Sequence, residues 1–159
     1  MAKFDNEVLL NAVVQYLKDN LTAKLAEIDA EKADGITLTP VSADAFFVHT
    51  LDDEVTNYNP FIYVGFSSLG GSAIQGSTAF EPRIQVTIVM SASTETQDDF
   101  AKILRYQRAL VEIFNEGFSR IRSEINLTIE NLEPVTLQGV NTSNLYRAIG
   151  IEMQTTFAP

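Results

Sequence analysis

The 159-residue chain has no cysteine, a single histidine, and only 11 basic side chains against 21 acidic ones. Without cysteine there is no disulfide, no thiolate metal site and no thiol nucleophile. With one histidine, any catalytic triad would rest on His49, whose nearby carboxylates are Asp52 and Asp53. No G-x-S-x-G turn presents a nucleophile, so His49 reads as an ordinary strand residue, hydrogen-bonded or at the surface. Phosphate binding needs clustered Lys and Arg, and the net charge is -10. That disfavours nucleic acid as an adhesive partner and still lets DNA pass without sticking. No apolar run approaches the ~20 residues needed to span a bilayer, so no membrane partner is expected. Met1 to Glu7 turns acidic at once and lacks an apolar signal core, so no export signal is expected. The N-x-[ST] sequons at Asn20, Asn126 and Asn141 are then chance matches.

Charge is also missing from one long stretch. Residues 55–91 hold only Glu81 and Arg83, together with Tyr58, Phe61, Tyr63, Phe66 and Phe80. Such a segment suits strands buried on both faces, and it equally suits a surface that a partner covers. We read it as core plus subunit interface. The remaining charge is uneven: residues 1–54 carry 11 acidic and 4 basic side chains, whereas every arginine lies after position 82. One face is therefore expected to be strongly acidic. In a ring that charge would add up with copy number around an opening.

What is present is the patterning of one globular domain spanning residues 1–159. A chain of this length buries roughly 68–70% of its unfolded surface, and 45% hydrophobic content supports such a core. Leu10, Val14, Leu17, Leu21, Leu25 and Ile28 recur at steps of three and four, predicting a helix over about 6–32. Its opposite face carries Lys18, Asp19, Lys24 and Glu27 and is expected to be solvated. Asp34-Gly35 stops it. Strands are expected within 46–91, at Phe46–Thr50, Phe61–Phe66 and Arg83–Ser91, with a flexible loop over 67–78. A second helix is expected over about 97–116, its buried stripe formed by Phe100, Ile103, Leu104, Leu110, Ile113 and Phe114. Strands fill 127–157: one leading to Pro134, a short one over Val135–Val140, and an alternating one over Arg147–Phe157. Segregated strand runs predict an α+β fold, a mostly antiparallel sheet packed by two amphipathic helices.

The remaining chemical signals are weak. Asp52-Asp53-Glu54 lacks calcium-loop spacing and reads as a solvated turn, so no metal is expected. No pair of carboxylates stands out for glycoside chemistry. The run Gly70-Gly71-Ser72-Ala73-Ile74-Gln75-Gly76 lacks the Lys-[Ser/Thr] of a phosphate cradle and precedes a strand, not a helix. A hairpin tip, or one that orders against a partner, fits it better. Lys102, Arg105 and Arg108 lie at three-residue steps, a basic stripe that Asp98 and Glu112 compensate. In an oligomer, Arg105 and Arg108 could meet the acidic first third of a neighbour. No catalytic residue and no cofactor is expected. The interface candidates are Tyr58, Phe61, Tyr63, Phe66, Gly70, Gly71, Gly76, Phe80, Arg105 and Arg108.

The order of elements is similar to that of a known family. Pro60-Phe61-Ile62-Tyr63-Val64, followed by the alternating strand Arg83-Ile84-Gln85-Val86-Thr87-Ile88-Val89, lies between a long N-terminal helix and a second helix with a final strand. This resembles the tail-terminator (tail-completion) proteins of long-tailed bacteriophages and related contractile particles. The resemblance covers nearly the whole chain but rests on element order, because that family has no linear motif. It implies an α+β subunit of a structural virion protein assembled in the host cytoplasm. It also implies a homohexameric ring that caps the tail tube and joins it to neck or connector proteins, with the sheath as a further candidate partner. DNA would pass through such a ring without specific binding. A head-closure or other neck protein, or a small-molecule binding domain lined by the aromatic strands, remains the alternative.

Overall fold

The computed structural model describes residues 6–48, 58–74, 77–91, 97–117, 127–137 and 146–157. His49, the carboxylates Asp52-Asp53-Glu54, Gly76 and the turn at 141–144 lie outside them.

Helix α1 (Asn6–Lys32) follows the apolar spacing. All six residues of its stripe are buried, and Leu9 and Val13 widen it. Past Lys32 the backbone enters the left-handed region at Ala33 (φ 47°) and again at Gly35 (φ 83°), which ends the helix. The Ala33 N–H still donates to the Asp29 carbonyl at 3.0 Å. The Asp29 carboxylate accepts the Leu38 N–H at 2.9 Å, and the returning chain buries Leu38, Val41 and Ala45.

The strands are β1 (Phe46–Val48), β2 (Phe61–Ile74), β3 (Ser77–Ser91), β4 (Leu127–Leu137) and β5 (Tyr146–Phe157). They form one sheet in the order β1-β2-β3-β5-β4, in which only the β1–β2 pair is parallel. The fold is therefore α+β with a mostly antiparallel sheet. Pairing in register sets Ile62, Ile88 and Ile149 in one row and Val64, Val86 and Ile151 in the next. All six are buried, and each fully buried Ile or Val contributes about 1.5–3 kcal/mol. Lys18 of α1 sits over the Phe46 ring beside that first row, which places α1 on this face, and the second helix packs against β5 and β3.

Two expectations about the strands need correction. The supposed flexible loop 67–78 is mostly ladder: beyond a register shift between Phe66 and Ser68, pairing continues from Ser68–Arg83 to Ile74–Ser77. Gly and Ser are poor strand formers, but backbone ladder bonds do not require a side chain, and Thr78 and Phe80 across the hairpin favour the pleat. Likewise β4 is a single strand running through Pro134. An edge strand tolerates proline because the missing N–H can face away from the ladder, and β4 lies at the edge.

Helix α2 (Gln97–Gly117) packs antiparallel to α1. Tyr16 donates its hydroxyl to the Ile113 carbonyl at 2.7 Å, while further along α1 Glu31 reaches Arg108. Its buried side is formed by Ile103, Tyr106, Ala109, Leu110, Ile113 and Phe114. Phe100 and Leu104, expected in the stripe, are instead 53% and 43% exposed. Leu104 lies about 100° around the helix from Ile103, and the packing centre falls on the Ile103–Tyr106–Leu110 side. Lys24 also departs from expectation. Only 11% of its side chain is exposed, and it bridges Glu27 at 2.9 Å and Glu112 of α2 at 3.7 Å.

Candidate assembly surface

Strand alternation sends Phe61 and Tyr63 to the face of the sheet opposite the helices. The parallel register sets Phe47 of β1 beside Tyr63. The Phe47 ring meets Phe61 edge-on at 6.3 Å between centroids and Tyr58 at 5.9 Å, within the range of favourable aromatic pairs. Phe61 is buried under this cluster, Phe47 and Tyr63 are half-buried, and Tyr58 is 36% exposed. Asn59 holds the approach to β2 in place, its side-chain oxygen accepting the Ser91 N–H at 3.0 Å. The result is an aromatic patch at the β1–β2 side of a sheet face on which no described helix lies.

Inward of the patch the same face of the sheet is buried and uncharged. Tyr63 pairs with Thr87, and Thr87 with Gly150. Thr87, Val89 and Gly150 are buried, and a methyl on Gly150 would come within 2.1 Å of the Val86 carbonyl, so strands β3 and β5 approach closely there. Further along this face Arg83 and Glu152 pair at 3.2 Å.

The ten interface candidates are thus sorted. Tyr58, Phe61 and Tyr63 come together, with Phe61 as the buried base of the cluster. Phe66 pairs with Ile84 and is half-buried on the helix side of the sheet. Gly70 and Gly71 are ladder positions opposite Glu81 and Phe80, in the part of the hairpin that runs past the three-residue strand β1. Phe80 also pairs with Phe157. Gly76 lies outside the described residues.

Arg105 and Arg108 do meet the acidic first third, but of their own chain. Arg105 is buried, holding the Asp34 carboxylate with both terminal nitrogens and donating to the Ile36 carbonyl at 3.3 Å. Arg108 holds Glu31 at 2.6 and 2.9 Å and Glu112 at 2.6 Å. These bonds hold the Asp34 carboxyl down to about 2 and lower that of Glu31, and they raise both guanidinium groups. The expected basic stripe is consumed as an interhelix clamp. Sequence reading missed Phe47 in the aromatic patch. Its alternation with Phe46 was visible, but which face each took depended on the parallel register with β2.

Among the described residues, no group of three His, Cys, Asp or Glu side chains converges on a metal position. No helix among them is long and apolar enough to cross a membrane. Compared with protein-family models and with curated proteins, the chain matches none.

Proposed function

We propose that this chain is a structural subunit of a phage-type tail, a tail terminator whose copies close into a ring on the end of the tail tube. The observation that carries this reading is the aromatic, charge-poor sheet face formed by Phe47, Tyr58 and Tyr63 on a chain of net charge -10. A surface of that kind is what an assembling subunit offers to a neighbour. The β2–β3 hairpin, extended past β1 on a stretch with almost no charge, supports the same reading as a second docking element. An acidic ring would conduct DNA without adhesion, because like charges repel phosphate. The ring, the tube and the neck contacts all come from the family resemblance, and the two-layer α+β subunit is compatible with them.

Native mass spectrometry across a range of concentrations tests the reading. A sixfold species, seen as a ring by negative stain, is the expected result. A persistent monomer carrying a co-purified small molecule overturns it in favour of a binding domain. Tyr63→Asp is expected to abolish the ring and leave a folded monomer, because Tyr63 is only half-buried.

A further inference from the structure

Asp34-Gly35, just past the end of α1, is the only Asp-Gly or Asn-Gly step in the chain. An aspartate before glycine can cyclise, because glycine has no side chain to obstruct the ring. A bond forms between the Gly35 nitrogen and the Asp34 Cγ, and a carboxyl oxygen leaves as water with the acid and amide hydrogens. Solvent water then reopens the cyclic imide. Opening at Cγ restores aspartate, whereas opening at the main-chain carbonyl gives isoaspartate, whose backbone runs through the former side chain. No oxidant or reductant is required.

The structure exposes this step and also restrains it. Asp34 and Gly35 are both exposed, and a methyl on Gly35 would meet nothing within 4 Å. The Asp34 carboxylate folds back over Gly35, its Oδ1 accepting the Ile36 N–H at 3.2 Å. Arg105 of α2 takes both carboxylate oxygens: Nη1 donates to Oδ1 at 3.1 Å and Nη2 donates to Oδ2. Nη1 also donates to the Ile36 carbonyl at 3.3 Å. Cyclisation needs the carboxyl group to turn onto the Gly35 nitrogen, and the two-pronged bond fixes its orientation. Cyclisation also proceeds from the acid form, whose hydroxyl leaves as water. The guanidinium favours the charged form and holds the carboxyl down to about 2 from 3.8. Asp29 and Asp98 face the same guanidinium and help keep it charged.

We propose that Asp34-Gly35 is a site of spontaneous isoaspartate formation that Arg105 suppresses, so that the interhelix clamp protects its own carboxylate from modification. Isoaspartate adds a methylene to the backbone and leaves the carboxyl directly on the branching carbon. The original two-pronged bond is then lost, and the Arg108–Glu31 pair is left as the ion pair between the end of α1 and α2.

The test follows isoaspartate in the Asp34 peptide, separated chromatographically after digestion and counted by enzymatic methylation of isoaspartyl groups. The unmodified chain, Arg105→Met and Arg108→Met are incubated folded at mildly acidic pH. The unmodified chain is also incubated in guanidinium chloride above its unfolding transition. Circular dichroism and melting temperature check that each variant is folded. Isoaspartate is expected to accumulate in the unfolded chain and in Arg105→Met. It should form at least about tenfold more slowly in the folded unmodified chain, where less of the carboxyl is in the acid form. Arg108→Met breaks the neighbouring tie but leaves the Asp34 bond, and is expected to stay as slow as the unmodified chain. If Arg105→Met does not fold, Arg105→Lys replaces it, keeping the charge but losing the two-pronged hold, and is likewise expected to speed the reaction. Equal rates in the folded and unfolded unmodified chain overturn the proposal, as does an Arg105 variant as slow as the unmodified chain. An Arg108 variant as fast as the Arg105 variant also overturns it, because protection would then come from helix docking in general. No isoaspartate in the unfolded chain overturns it as well.

Discussion

Arg105, on the second helix, closes a two-pronged bond on Asp34, two residues beyond the end of the first. The Arg105 side chain is 10% exposed and that of Asp34 41% exposed, so the bond is half sheltered from solvent. Together with Arg108 and Glu31 it fastens the C-terminal end of α1 to the middle of α2. The neighbouring Tyr106 adds a hydrogen bond to the Thr39 carbonyl at 2.8 Å, and burial pushes its hydroxyl up to about 12.

This bond sets a pH dependence. The Arg105 hydrogen bonds lower the Asp34 carboxyl from its ordinary 3.8 to about 2 in the folded chain. Its contribution is therefore complete above pH 3.8 and is lost as pH falls through about 2. Asp34→Asn is expected to lower the urea midpoint at neutral pH, and the gap from the unmodified chain should close as pH is taken down through that window. A gap that is constant with pH would show that the charge on Asp34 contributes nothing.

Two backbone predictions concern the end of α1. Ala33 has φ 47°, a conformation that costs an L-residue about 1 kcal/mol or more. Ala33→Gly is expected to stabilise the chain by about 0.5–1 kcal/mol in denaturant unfolding. Gly35→Ala should destabilise it by about 1 kcal/mol through φ alone, since a methyl there meets nothing within 4 Å.

Thr87 predicts a gain. Its hydroxyl is buried in the centre of the sheet and finds no hydrogen-bond partner among the described residues. A buried hydroxyl left unpaired costs about 1–3 kcal/mol, so Thr87→Val should raise the melting temperature. A lower melting temperature would mean that the hydroxyl is satisfied in solution.

Gly150 predicts a loss. A methyl at this position would lie 2.1 Å from the Val86 carbonyl oxygen, which is backbone and cannot swing aside. Gly150→Ala is expected to cost about 3 kcal/mol or more, read as a large drop in denaturation midpoint. The Gln107 side chain, bonded to the Gly150 carbonyl at 2.9 Å, would lose its anchor as β5 shifts.

Periodicity alone was enough to locate both helices, because Leu10 through Ile28 and Ile103 through Phe114 repeat at helical steps and their burial enforces the pattern. The strand Arg83–Ser91 was legible for the same reason, its alternation surviving into the sheet. The glycine–serine stretch after Phe66 was not legible as strand, since its ladder depends on the partner strand and not on its own side chains. Phe100 and Leu104 were misplaced because three- and four-residue spacing allows more than one stripe on a helix, and only the docking of α2 against α1 and β5 selects one.

What the amino-acid sequence determined by itself was therefore the local part: the two helices and the strand Arg83–Ser91, the helix end set by Asp34-Gly35, the lack of thiol chemistry and the acidic balance. These follow from short-range backbone preference and from counting. Tertiary structure decided which carboxylates Arg105 and Arg108 would hold, that Phe47 would join Tyr58 and Tyr63, and that Phe100 and Leu104 would lie outside the buried stripe of α2. Each of those depends on partners distant in sequence, and contacts of that range are set by strand register and helix docking.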